Sequence, residues 1–477
     1  MAEASAVRQA IIKALPSEFA NFGQVPALKH LYVPPAHVKA LRLDCHLVIG
    51  ARGVGKSVWT AALSDAALRR ALGPSVPELE RTQVRIGFSV ASRIEHYPDA
   101  GTFADLLAAG IPAYDVWRAV VARWIAGILT QDIPQATWTA TLAWLRANPE
   151  GLAHLLQEAS CRLSDDSGYG LIVFDALDRT SNDWRTMDEI VRDLLRTALW
   201  LKSYPRLSAK VFLRVDQFDR TAVDFPDASK LQATRAELTW ARHDLHGLLW
   251  QTLINGPDAH GQCLREVYRS TLDTPPTSTG DRWLLSNEIK RETPAQRALF
   301  ESLAGPWMGR DHRRGVPYVW SVGHLADGQG RTSPRSFLAA IRQAAEDSQE
   351  RYPDHALPLH YESIKRGIQQ ASEIRVNELA EDYPWVPTFM TPLAGLTVPC
   401  EYTLIRQRWA GEFPLGPKAA HSERLPPQHA EGGWDGIRED LKRLGLFEAK
   451  LDGRIDMPDL YRVGFRLGRR GGIRPRS

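Results

Sequence analysis

Eight residues constrain this chain more than any other feature: Gly50-Ala51-Arg52-Gly53-Val54-Gly55-Lys56-Ser57, a GxxxxGK[ST] run. The segment before it, Cys45 to Ile49, is short, apolar and β-branched and reads as a buried strand. The segment after it, Ser57 to Leu72, has Ala- and Leu-rich helical spacing and ends at Gly73-Pro74, a stop signal. Strand, glycine loop and helix in that order make a phosphate cradle. Glycines let backbone N–H groups curl round phosphate oxygens, and the helix N-terminus adds the positive end of its dipole. Lys56 would reach the β and γ phosphates of ATP, and Ser57 would ligate Mg²⁺. The expected nucleotide contacts are Gly50, Arg52, Gly53, Val54, Gly55, Lys56, Ser57 and Val58.

A carboxylate must accompany such a loop if a metal is to be held. Leu171-Ile172-Val173-Phe174-Asp175-Ala176-Leu177-Asp178 supplies it: an apolar strand ending in Asp175, expected beside the loop on a neighbouring parallel strand. Asp175 and Ser57 are therefore the expected Mg²⁺ residues. Many P-loop ATPases place a water-activating Glu directly after this Asp; here the position is Ala176, and Asp178 follows. Either Asp178 acts as the base, or hydrolysis is slow and the nucleotide serves as a switch.

The next apolar strand, Val211-Phe212-Leu213-Arg214-Val215-Asp216, ends in charges that face the same crevice in a parallel sheet. Arg214 or Asp216 would sense the γ-phosphate, or they form a salt-bridged strand end. Ser333-Pro334-Arg335-Ser336-Phe337-Leu338 reads as a helix start with Ser as N-cap and Pro at the first turn. Arg335 then stands where the dipole disfavours a cation, which points to an anionic partner such as nucleotide phosphate, or to a solvated arginine.

Taken in order, GARGVGKS, LIVFDALD, VFLRVD and TSPRSFL resemble the AAA+/STAND branch of P-loop ATPases, close to its KAP-like bacterial groups. The resemblance covers about 45–350. It implies an α/β fold: a P-loop NTPase parallel sheet with a helical lid, followed by a C-terminal winged-helix domain. It casts Arg335 as a lid arginine and the chain as a nucleotide-controlled switch in a bacterial multi-protein system such as antiphage defence; the alternative is a non-hydrolysing DNA-binding adaptor in which nucleotide is structural. A trans-acting arginine, with Arg310, Arg313 and Arg314 as candidates, would be needed if the chain worked as a homo-oligomeric motor on nucleic acid.

The domain reading follows these landmarks. Residues 1–44 form an N-terminal helical and extended segment, 45–220 the nucleotide core and 221–382 a helical insert and lid. Residues 383–433 hold eight prolines and read as a linker, packed in part through Trp385, Phe389 and Trp409. Residues 434–477 read as a helix, Trp434 to Leu444, and a hairpin turning at Asp452-Gly453, together winged-helix-like. Residues 460–477 hold six arginines (462, 466, 469, 470, 474, 476) and no acid, a one-sided cluster that suits phosphate-backbone contacts. Double-stranded DNA is one expected partner of this end; a solvated basic tail and a protein contact are the others.

Composition matters mainly for what it excludes. Among 477 residues, 44% hydrophobic and 24% charged with 59 Lys+Arg against 56 Asp+Glu rule out a disordered chain or a collagen. The scattered Cys45, Cys161, Cys263 and Cys400 give no CxxC pair, so free thiols in a reducing cytosol are expected. The most apolar helical stretch, Val120 to Thr130, is too short for a bilayer and contains Arg123, so no membrane is expected. No secretory signal is apparent at the start, and a cytoplasmic location follows. His243 and His246 stand at i and i+3 without a third ligand, which argues against a metal site there.

Overall fold

A computed structural model describes residues 3–17, 24–218, 220–419, 424–470, 473 and 475. The chain forms two compact units. The first holds the described residues of 24–28 and 33–239; the second holds those of 3–17, 29–32 and 240–475.

The first unit is built on five parallel strands: β1 (Leu47–Gly50), β2 (Thr82–Phe88), β3 (Tyr169–Phe174), β4 (Leu207–Arg214) and β5 (Ala236–Leu238), in the order β2-β3-β4-β1-β5. Near-continuous apolar runs explain the sheet. Leu47, Val48, Leu171 to Phe174, Val211 and Leu213 are fully buried, as strands covered on both faces require. Helices Ala113–Leu129, Pro149–Asp165 and Trp184–Leu201 pack on it. Trp117 meets Phe174 edge to face at 5.5 Å. Because β4 lies between β1 and β3, the chain leaves β1 in one direction and reaches β5 on its other side. Their carboxyl ends therefore flank a switch point, the usual crevice for a ligand in such sheets.

Several elements differ from the sequence expectation. The helix expected over 57–72 is two helices, Lys56–Ser64 and Ala66–Leu72, because Asp65 is extended and its carboxylate caps Leu68 N–H at 2.9 Å. The sheet also takes in β5, beyond residue 220, and residues 33–44 belong to this unit rather than standing apart.

Lys210 ties 33–45 to the sheet. It is fully buried on β4, and its ammonium donates to the carbonyls of Ala40 (2.7 Å), Arg42 (2.9 Å) and Cys45 (2.6 Å), closing the end of helix Val38–Leu41. Burial pushes its pKa down to about 8. Lys210→Met is expected to destabilise the protein by about 3 kcal/mol, since three carbonyls lose their donor while one buried charge is relieved. Chemical denaturation measures it; an unchanged midpoint would show these bonds to be dispensable.

The second unit is helical. Helix Pro334–Arg351 pairs with Tyr361–Asp382, and the N-terminal helix Ala4–Ala14 packs on Pro334–Arg351 and Asp258–Leu272. Arg8, 1% exposed, donates to the carbonyls of Pro353, His355, Leu357 and Pro358 and so fastens this helix to a distant loop. Residues 383–433 hold two helices, Trp385–Met390 and Tyr402–Glu412. Their aromatic residues are a core: Trp409 is fully buried, donates to Phe389 O at 2.7 Å and stacks on Trp434 and Phe447.

After helix Gly433–Arg443, Glu448–Ala449 and Ile455–Asp456 pair antiparallel. Gly453 has φ +84° and its N–H donates to Lys450 O, while Lys450 N–H donates to Arg454 O. This is a three-residue hairpin loop whose left-handed position requires glycine. Among the described residues, no helix is long and apolar enough to cross a membrane.

Candidate phosphate-binding site

The loop Gly50–Ser57 joins the end of β1 to helix Lys56–Ser64, as its spacing demands. Gly53 and Gly55 have φ of +76° and +110°, so side chains there would be strained. A Cβ on Gly50 would stand 2.6 Å from Val54 Cγ1, so glycine is what lets the loop fold over itself. Gly55 occupies the N-cap position of the helix and offers no side-chain cap to its first turn.

Lys56 curls back over the loop, donating to Gly50 O at 2.9 Å and Ala51 O at 3.0 Å. Burial lowers its pKa to about 8; Asp175 works against that shift, and Arg214 adds to it. Asp175 is 3% exposed, and its N–H donates to Phe88 O at 3.0 Å, fixing it at the end of β3. Burial raises the Asp175 carboxyl, opposed by the charge of Lys56 and by a hydrogen bond from the Ser57 side chain. Ser57 and Asp175, the two residues expected to hold Mg²⁺, are thus in direct contact. A hydroxyl and a carboxylate beside a phosphate cradle suit a hard cation that keeps several waters. Among the described residues, no group of three or more His, Cys, Asp and Glu side chains forms a metal site.

Ala176 has φ +59°, a left-handed turn that bends the chain into a short 3₁₀ segment, Leu177–Arg179. That bend brings Asp178 to Arg214, at 3.6 Å. Arg214, the last residue of β4, lies opposite Gly50 in the sheet register, and its Nε is 3.2 Å from Asp216. The backbone N–H of Arg214 donates to Gln217 Oε1 at 3.0 Å. The two readings of this strand end therefore coincide: Arg214 is salt-bridged, and it is also beside the loop. Two cations, Lys56 and Arg214, face three carboxylates, Asp175, Asp178 and Asp216.

Arg335 lies in the helical unit, in the first turn of Pro334–Arg351, and its anion there is Glu378, at 2.5 Å. Arg310, Arg313 and Arg314 are exposed in that unit. His246 is boxed by Phe300, Tyr318 and Phe337, with Nε2 2.9 Å from Tyr318 O; burial lowers its pKa to about 3. It is a core histidine, unlike a ligand.

The arginines at the C-terminus are a correction to the sequence reading. Arg462 is fully buried, paired with Asp459 at 2.7 Å and bonded to Leu467 O and Ile473 O. Arg469 is spoken for by Asp456 and Asp459. Both therefore hold the fold rather than facing a phosphate backbone. Arg466 and Arg470 are exposed, and Arg474 and Arg476 lie outside the described residues.

Sequence reasoning missed three residues around the loop. Gln217 reaches back to Arg214 and to Met187 Sδ at 3.4 Å. His37 and Trp59 bond to each other beneath the loop's helix. A Trp two residues after Ser57 was a visible signal; the histidine twenty-two residues before it carried none.

No family model matches the chain, and no curated protein matches it. Among solved structures, it is similar to the Aeropyrum pernix ORC2 protein. In that protein's ADPNP–ADP complexes the identity is 12% and the TM-score 0.40, over 87% of this chain and 84% of that one. In its ADP form the identity is 13% and the TM-score 0.32, over 94% and 92%. At these values the site rests on its own geometry.

Proposed function

We propose that this chain binds ATP with Mg²⁺ on Gly50–Ser57 and works as a nucleotide-controlled switch of the AAA+/STAND type. The observation that carries it is the cluster of half-buried Lys56 and Ser57 with buried Asp175 at the carboxyl edge of a parallel sheet. Backbone amides of the loop and the open first turn of helix Lys56–Ser64 would receive phosphate oxygens. Lys56, released from Gly50 O and Ala51 O, would turn to the β and γ phosphates. Ser57 and Asp175, the latter directly or through water, would hold Mg²⁺, which would supply positive charge against the phosphates.

Turnover is expected to be slow. Asp178 is the nearest carboxylate to take the place of the missing Glu, but it is engaged by Arg214. To act as base it must exchange that partner for water, and phosphate arriving near Arg214 supplies a competing anion. A slow ATPase paired with a protein or DNA trigger fits such a latch. The biological setting we favour is a bacterial multi-protein system such as antiphage defence.

The test is thermal unfolding with and without ATP–Mg²⁺, followed by hydrolysis assays with and without double-stranded DNA. A site occupied at a hundred times its Kd adds about 2.7 kcal/mol to stability, so the midpoint should rise by several degrees. Asp178→Ala should keep that rise and lose the turnover. A midpoint indifferent to ATP–Mg²⁺ would mean that the loop is structural and the chain an adaptor.

A further inference from the structure

His37 is fully buried between two elements that a nucleotide site has reason to connect. On one side, the Trp59 indole Nε1–H donates to its Nδ1 at 3.1 Å, and the rings meet edge to face at 5.8 Å and 80°. On the other, its Nε2 is 2.9 Å from the carbonyl oxygen of Thr239. Because Nδ1 accepts, the ring proton is on Nε2, which donates to Thr239. The tautomer is thereby set by the geometry. Burial holds the imidazole pKa down to about 4, so it stays neutral at ordinary pH.

The two ends of this bridge are not arbitrary positions. Trp59 is 2% exposed on helix Lys56–Ser64, two residues past Ser57, and its backbone N–H donates to Gly55 O inside the loop. Thr239 follows β5, which runs beside β1 with Leu238 opposite Gly50, and it is the last residue of the nucleotide unit; the helical unit resumes at Trp240. One neutral side chain therefore spans from the helix that carries Lys56 and Ser57 to the carbonyl at which the chain leaves the sheet. An imidazole holding a donor on one nitrogen and an acceptor on the other has little slack: hydrogen bonds weaken steeply with misalignment.

We propose that His37 is a positioning residue that couples occupancy of the phosphate loop to the backbone at Thr239–Ala241, through the chain Trp59–His37–Thr239. When phosphate draws on the first turn of helix Lys56–Ser64, Trp59 moves with it. The His37 bond passes that displacement to the Thr239 carbonyl. The coupling rests on the ATP reading given above and adds its route out of the site.

Hydrogen exchange on the full chain, read at amides 239–243 with and without ATP–Mg²⁺, tests it alongside calorimetric ATP affinity. In the natural protein ATP should slow exchange there by about fivefold or more, the lower range for coupling between sites. Trp59→Phe keeps the ring and removes the donor. It should bind ATP within about threefold of the natural protein yet lose most of that protection, given the small worth of one neutral hydrogen bond. His37→Leu should do the same, and His37→Gln, with an acceptor oxygen and a donor nitrogen, should restore it. Trp59→Phe stands if His37→Leu does not fold. Full ATP-dependent protection in Trp59→Phe, or ATP binding in the natural protein with no change at 239–243, overturns the coupling while leaving ATP binding intact. No ATP binding by the natural protein sinks the reading beneath it instead.

Discussion

Lys56→Ala should weaken ATP binding by up to about a hundredfold, because a charge-assisted bond to phosphate is worth up to about 3 kcal/mol and each 1.4 kcal/mol is tenfold. Before any ligand arrives the ammonium is held by Gly50 O and Ala51 O, and phosphate must draw it off those carbonyls. The same burial makes the site sensitive to pH. The Lys56 pKa stands at about 8 without ligand, lowered first by burial. An unfolded lysine keeps its proton to about 10.4. Between these values the unfolded chain holds a proton that the folded chain has lost. Lys56 therefore opposes folding below pH 8, and that opposition fades as pH rises through the window. Triphosphate reverses the preference, since an anion favours the charged form. ATP affinity should fall as pH rises above 8, and binding at pH 8 to 9 should take up protons. Calorimetry in two buffers of different ionisation enthalpy measures that uptake directly. Unchanged affinity in Lys56→Ala, or binding without proton uptake, would remove Lys56 from the site.

What the sequence made legible, and what it hid, divides along a physical line. Local signals carried far. The glycines of the loop, the apolar runs of β1, β3 and β4, the helix from Trp184 and the Asp452-Gly453 turn all declare themselves over fewer than twenty residues. Non-local facts did not. β5 is only Ala236-Glu237-Leu238, too short for any period, and it becomes a strand because β1 offers it an edge. The prolines at 384 to 427 suggest an extended linker, packed in part through its aromatic residues; the two short helices that fit between them, and the full burial of Trp409, depend on contacts made elsewhere in the chain. Asp178 looked distant from Arg214 by thirty-six positions; only the left-handed bend at Ala176 shows why they meet. For charges the failure is general. Sequence shows an arginine and not its partner: nothing in it pairs Arg335 with Glu378, and the fully buried Arg462, held by Asp459, looked available for phosphate.

The second large effect follows from that last pair. Asp459 is 1% exposed at its side chain, accepts from Arg462 at 2.7 Å and from His324 at 2.5 Å, and lies 3.4 Å from the Arg469 guanidinium. Burial alone would raise its carboxyl. The hydrogen bonds from His324 and Arg462 outweigh that and hold it below the usual aspartate value. A carboxyl lowered by folding adds stability above its unfolded pKa and loses it as pH falls through the folded one. Asp459→Ala should therefore cost about 4 kcal/mol near neutrality, because it strands the fully buried Arg462 guanidinium in the core. In a domain of this size that is on the order of 10 °C in thermal midpoint. Asp459→Ala combined with Arg462→Met should recover much of the loss, since removing both charges avoids the stranded one. Charge removal at exposed Arg466 and Arg470 should leave the midpoint within about half a kcal/mol. If this end meets DNA, those two are the described arginines whose loss should flatten the salt dependence of binding. An Arg462→Ala protein that keeps its midpoint but loses salt-dependent DNA affinity would place Arg462 at a nucleic-acid surface, against the burial that assigns it to the fold.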